Sequence, residues 1–231
     1  MDPVPAFTQQ LALAAGLGVQ LAQVVSLDDP ERQNRVKVRL AAVSGTSNQE
    51  GEIFARVATL FAGDNRGAFW MPDVDDEVVV AFVQGDSRMP IVLGGLWNGS
   101  SRSPETLRSD NNLKVVRSRN GNRIVLDDTS GREQVIIETP GGSRITLSDA
   151  PGDSAVTVED RFGNTTTMAG GGVTVRTGSK LTIEASQIEV TAAMVQVNAA
   201  MSKFSGIVQC DTLITNSVVS ASYTPGAGNI W

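Results

Sequence analysis

The stretch LTIEASQIEVTAAMVQVNA, residues 181–199, repeats every seven positions, and the reading of that period decides the fold. Leu181, Ile188 and Val195 align, as do Ile183, Val190 and Val197, and Ala185, Ala192 and Ala199. A seven-residue period first suggests a helical heptad. Within each unit, however, the apolar residues stand at i, i+2 and i+4, which places them on one face of a strand, whereas a helical seam needs steps of three and four. The intervening Thr182, Glu184, Glu189, Thr191, Gln196 and Asn198 are polar and suit a solvent-facing side. Each unit reads as one strand and one corner.

Toward the N-terminus the period lengthens. NGNRIVLDD (Asn120 to Asp128) aligns with GGSRITLSD (Gly141 to Asp149) at an offset of 21 residues, and a further 21 reach FGNTTTMAG from Phe162. The same offset sets Val135-Ile136-Ile137-Glu138 over Val156-Thr157-Val158-Glu159, so two alternating segments and two turns recur in each unit. Strands this narrow bury little within one chain, and a single copy would expose apolar faces and unpaired edges. A homotrimer follows as the expectation: three copies wound about one axis, Leu181, Ile183, Ile188, Val190, Val195 and Val197 filling the centre, each strand hydrogen-bonded to a neighbour's. Roughly fifteen strands stacked at about 4.8 Å would extend on the order of 70 Å.

Before the repeats lie five strand-like segments, Val19 to Ser26, Arg35 to Leu40, Ile53 to Leu60, Glu77 to Val83 and Pro90 to Leu96, each bounded by Asp, Asn, Gly or Pro. Five strands in about 80 residues suggest a small OB-type barrel. The predicted architecture is all-β: an N-terminal extension at 1–16 with a helical turn or two around Thr8 to Ala15, an OB-fold barrel at 17–98, a polar linker at 99–112, an intertwined trimeric β-helix at 113–222, and a tip segment at 223–231.

Composition narrows the chemistry. The 231 residues carry 23 glycines, only 5% aromatics and a formal charge of -6, a balance that opposes binding to a phosphate backbone. Nucleic acid is not expected as a partner. The chain contains no histidine, which removes the commonest general base and zinc ligand, and no cofactor is expected. The single Cys210 sits in an alternating apolar stretch and reads as a small buried residue. LALAAGLGVQLAQVV is apolar, but Asp2 and the lack of a preceding positive charge argue against a secretory signal, and no apolar run reaches membrane-spanning length. Synthesis in the cytoplasm is the expectation.

The stretch AFWMPDVDDEVVVAFVQGDSRMPIVLGGLWNG, Ala68 to Gly99, carries an aromatic-x-Pro (Trp70-Met71-Pro72), an acidic turn (Asp73 to Glu77), a valine-rich strand (Val78 to Phe82), Gly85-Asp86, and Pro90 to Gly94 with Asn98. In this order they resemble the end of the OB domain in the phage baseplate assembly protein V, VgrG and tail-spike group. The resemblance continues through NGNRIVLDDTSG and the C-terminal VVSASYTPGAGNIW, nearly the whole chain. It implies a trimeric, non-enzymatic spike of a contractile injection system or virion baseplate, its barrel on the tail tube's end and its β-helix pointing toward the target membrane. Only about 18 residues precede the first strand, so the resemblance implies a separate hub protein. The linker has no room for the lysozyme some phage spikes carry. The histidine-bound iron tip of other short spikes is absent, which implies a separate PAAR-type tip protein.

Several features admit a sharper reading beside a plainer one. Asp73, Asp75, Asp76 and Glu77 suit a cation site or, better, a solvated turn. Asp127, Asp128 and Asp149 read as glycosidase acids in a tailspike-like enzyme or, better, as corner residues. Gly170-Gly171-Gly172 lacks the Lys-Ser/Thr of a phosphate loop and reads as a tight corner. Trp70 and Trp97 would stack bases on an OB face or, better, pack the barrel. Tyr223, Ile230 and Trp231 either cover the prism's own end or meet a tip protein.

Overall fold

A computed structural model describes residues 18–43 and 51–221. Among these residues every long element is a strand and no α-helix forms. Alternation builds the first sheet. In β1 (Val19–Ser26), β2 (Val36–Leu40), β3 (Glu52–Val57), β6 (Glu77–Phe82) and β7 (Pro90–Leu96) buried residues, mostly valines with Leu40 and Phe82, alternate with more exposed ones. The sheet closes in the order β1-β2-β3-β7-β6, with β3 and β7 parallel and the other pairs antiparallel. Register shifts at Val24/Ser26 and Val79/Val80 supply the local bends that closure needs. Ala22, Val24, Val36, Val38, Leu40, Ala55, Val78, Val80, Phe82 and Val92 fill the interior.

The β1–β2 connection is tied down by one carboxylate. Asp29 accepts hydrogen bonds from the backbone N–H groups of Glu31 (3.1 Å), Gln33 (2.8 Å) and Arg35 (3.2 Å) and pairs with the Arg35 guanidinium at 2.7 Å. Between β3 and β6 the chain makes a small hairpin, β4 (Ala62–Gly63) and β5 (Arg66–Gly67). The segment expected to run as strand to Leu60 ends at Val57, because the chain turns out there into this hairpin.

The second sheet is an antiparallel meander of seven strands: β8 (Leu113–Arg117), β9 (Arg123–Asp127), β10 (Gln134–Glu138), β11 (Arg144–Ser148), β12 (Ala155–Glu159), β13 (Thr165–Ala169) and β14 (Gly172–Arg176). Its turns explain the 21-residue period. The loops at 118–122, 139–143 and 160–164 share one hydrogen-bond pattern: the N–H of Ser118, Thr139 and Asp160 donates to the carbonyl of Asn122, Ser143 and Asn164. Gly121, Gly142 and Gly163 occupy the same place in each loop, with φ between 81° and 92°, which favours glycine. The side-chain oxygens of Ser118, Thr139 and Asp160 accept from the N–H four residues on and brace each loop. At Gly170-Gly171 the connection shortens to two residues, the tight corner that the sequence suggested.

One expectation is corrected here. The strands of 113–176 hydrogen-bond to the next strand of the same chain, not to a neighbour's, because turns of two to six residues fold each strand back on its predecessor. The chain divides after Lys180, and residues 181–221 form no strand within a single copy.

Candidate trimerisation surface

Each strand of the meander has five residues, so register alone sorts them onto two faces. On one face a central row runs Val115, Val125, Ile136, Thr146, Thr157, Thr167 and Thr174. Charged residues flank it: Arg123 pairs with Glu138 at 3.0 Å and with Glu105 of the 99–112 linker at 2.7 Å, and Arg144 reaches Glu138 at 3.7 Å. Val125 and Ile136 are the buried hydrophobics of this sheet.

The opposite face is different in kind. Two rows cross the strands side by side, Leu126, Val135, Leu147, Val156, Met168 and Val173 in one, and Val116, Ile124, Ile137, Ile145, Val158 and Val175 in the other. All except the half-buried Val135 and Val156 are exposed in a single copy. Lys114 on β8 and Thr166 on β13 are the polar positions of these two rows, and the twelve apolar side chains around them are far more than a lone soluble sheet leaves in water. The 21-residue alignment already stacked Ile124 on Ile145, Leu126 on Leu147 and Val135 on Val156, so the signal was present in the sequence. The expected contact residues lie only in 181–197, because the 21-residue repeat by itself leaves the inward face of both its strands unassigned.

The residues singled out from the seven-residue repeat, Leu181, Ile183, Ile188, Val190, Val195 and Val197, are 59–70% exposed in a single copy. Tyr223, Ile230 and Trp231 lie outside the described residues, as do Thr8 to Ala15. Two packing expectations are corrected: Trp70 and Trp97 are 66% and 70% exposed, because the barrel interior is already filled by Phe82, Leu40 and the valines and alanines around them. Cys210 is likewise exposed within one copy, since no other strand covers its segment.

The acidic groups have structural partners. The Asp75 N–H donates to the Val24 carbonyl and the Asp76 backbone carbonyl accepts from the Val24 N–H, both at 2.9 Å, while the Asp76 carboxylate accepts from the Asp73 N–H at 2.8 Å, so the acidic turn is knitted to β1 and to itself. Asp73 pairs with Arg119 at 3.1 Å. Asp127 accepts from the Thr129 N–H at 3.0 Å, and hydrogen bonds from Thr129, then Gln134, hold its carboxyl below the ordinary range. A glycosidase general acid needs the opposite shift. Asp149 donates its N–H to the Glu133 carbonyl at the corresponding corner.

Comparison with known families bears directly on the apolar face. The Type VI secretion system/phage-baseplate injector OB domain matches residues 20–97, and the phage baseplate V C-terminal trimerisation domain matches residues 134–202. The chain belongs to the phage baseplate V family. Its trimerisation domain spans β10 to β14 and all six apolar positions of the seven-residue repeat, and its OB domain coincides with the closed barrel. The chain is similar to the Type VI secretion system spike protein VgrG1a of Pseudomonas aeruginosa, 31% identical over 97 residues, which is 38% of this chain and 15% of that protein. It is also similar to the spike protein VgrG3 of Vibrio cholerae, 29% identical over 96 residues, covering 39% and 9%. The actin cross-linking toxin VgrG1 of Vibrio cholerae is 27% identical over 128 residues, covering 51% and 12%. The matched segment thus spans 15% or less of each of these relatives.

Proposed function

We propose that three copies of this chain form the central spike of a contractile tail or injection apparatus, which acts mechanically and without catalysis. The observation that carries this reading is the pair of apolar rows on one face of the 113–176 meander. Covering a half-exposed Ile, Leu or Val gains on the order of 1 kcal/mol each, and three sheets facing one axis cover all of them at once. Leu181, Ile183, Ile188, Val190, Val195 and Val197 contribute a second apolar set to the same trimer, and there, in a segment with no strand partner in its own chain, the ladder forms between copies.

In this reading 17–98 is the barrel that meets a separate hub protein at the tube end, 113–222 is the shaft, and 223–231 is the tip segment. Tyr223, Ile230 and Trp231 meet a PAAR-type tip protein. Sheath contraction drives the spike through the target envelope, a transient contact that calls for stiffness and no bond chemistry. The protein resides in the baseplate of an assembled particle.

The test is the solution mass of the purified chain by light scattering, before and after mild denaturant. A resistant species of three times 24.3 kDa is the expected result. A well-behaved species of 24.3 kDa would overturn the spike reading.

A further inference from the structure

The barrel carries large apolar side chains that its core does not use. Leu60 is 90% exposed and Phe69 75%, and Phe61 and Trp70 are exposed beside them, all within the segment that bears the β4–β5 hairpin. The hairpin is a built feature. Ala62 pairs with Gly67 and Gly63 with Arg66, the Ala68 N–H donates to the Phe61 carbonyl at 3.2 Å, and the Thr59 hydroxyl donates to the Ala68 carbonyl. Gly67 has φ 153°, and a Cβ placed there would stand 2.9 Å from the Phe61 oxygen, so the backbone closes tightly where the aromatic residues begin.

This rim does not end at the barrel. Leu60 and Trp70 line a groove with Leu93 of β7 and Val116 of β8, and Val116 opens one apolar row of the meander. On the other side of Val116 lies a second recess, lined by Trp97, Leu107, Ile124 and Leu126, in which Trp97 and Leu107 are themselves exposed. Val116 lines both recesses, and with Ile124 and Leu126 it joins the barrel's aromatic rim to the face that continues into the trimerisation domain, with Lys114 and Glu105 at the edge of the second recess.

A three-fold ring is built from heterologous contacts, in which one patch of each copy meets a different patch of the next. A protruding aromatic rim and a neighbouring apolar recess on the same molecule provide such a pair. We propose that the trimer contact extends from the sheet onto the barrels: the Leu60–Trp70 rim of each copy is covered by a second copy of this chain, at its Trp97–Leu107 recess. The inference rests on the trimeric reading above, and it makes the barrels part of the assembly and not pendants on it. Burying aromatic residues at the contact also fits the side chains that dominate interface energetics.

The test is hydroxyl-radical footprinting of the purified full chain, with no other protein present, read by mass spectrometry at Trp70 and Trp97. Ile145→Asp, expected to be monomeric, supplies the exposed reference. In the native trimer both tryptophans are expected to react several-fold more slowly than in that reference, and Trp70→Ser is expected to keep the trimeric mass while Trp97 reactivity rises. A trimeric mass with Trp70 or Trp97 as reactive as in the monomer overturns this inference and leaves the spike reading standing. A monomeric native chain overturns both.

Discussion

The barrel and the meander are made of the same kinds of residue arranged to opposite ends. In the barrel, Val24, Val38, Leu40, Val78 and Val80 are sealed inside one copy by closure of the sheet on itself. In the meander, valines and isoleucines of equal hydrophobicity stand on an open face, and Ile145 remains 37% exposed even at mid-sheet. Closure supplies a barrel with its own second layer. An open sheet must borrow one, and the difference separates a unit stabilised within the chain from a unit stabilised between chains.

The contrast is broken most severely at the sheet. Ile145→Asp removes little that a single copy buries, yet in the trimer it places three carboxylates at one level of the axis, a desolvation cost of several kcal/mol that offers no pairing. The expected outcome is collapse of the mass from three times 24.3 kDa to 24.3 kDa on light scattering, with the barrel's own unfolding transition retained. The converse change, Leu40→Ala, removes a fully buried barrel side chain and is expected to cost about 2–5 kcal/mol of barrel stability in denaturant titration. It should leave the trimeric mass unchanged below that transition.

A third change probes the barrel's charged clamp. Arg35 and the surrounding backbone N–H groups hold the Asp29 carboxyl well below the ordinary value of 3.8, so the folded pKa lies under the unfolded one. The resulting stabilisation is complete above that ordinary value of 3.8 and is lost as the pH falls through it toward the folded pKa. Thermal melts at pH 5 and pH 3 should show the barrel transition falling with acid, and Asp29→Asn should shrink that fall. The smallest effect is expected at the turns: Gly142→Ala forces a side chain to φ 92° and should cost about 1–2 kcal/mol, read as an earlier loss of amide protection in β10 and β11 than in β1 and β2.

How much of this was legible follows the same division. The barrel strands could be read because Val36, Val38 and Leu40, or Val78, Val80 and Phe82, alternate with outward residues, and because a closed sheet must obey that alternation locally. The 21-residue repeat was legible because Gly121, Gly142 and Gly163 mark turns that few other residues can make. The choice between pairing within a chain and pairing between chains was not, since a strand's hydrogen-bonding edge leaves no mark on its side chains; loop length decides it. Nor were the exposed positions of Trp70 and Trp97 legible, because hydrophobicity states that a ring will be covered without stating by which molecule.

The meander has an odd number of strands, so β8 and β14 run in the same direction. Removing or adding one hairpin between equivalent glycines, such as Gly121 and Gly142, changes the chain by 21 residues and keeps both the direction of exit and the inward face. Removing a single strand reverses the chain. The length of such a sheet therefore changes in whole steps of two strands, each about 9.6 Å, without altering the direction in which the chain enters or leaves it.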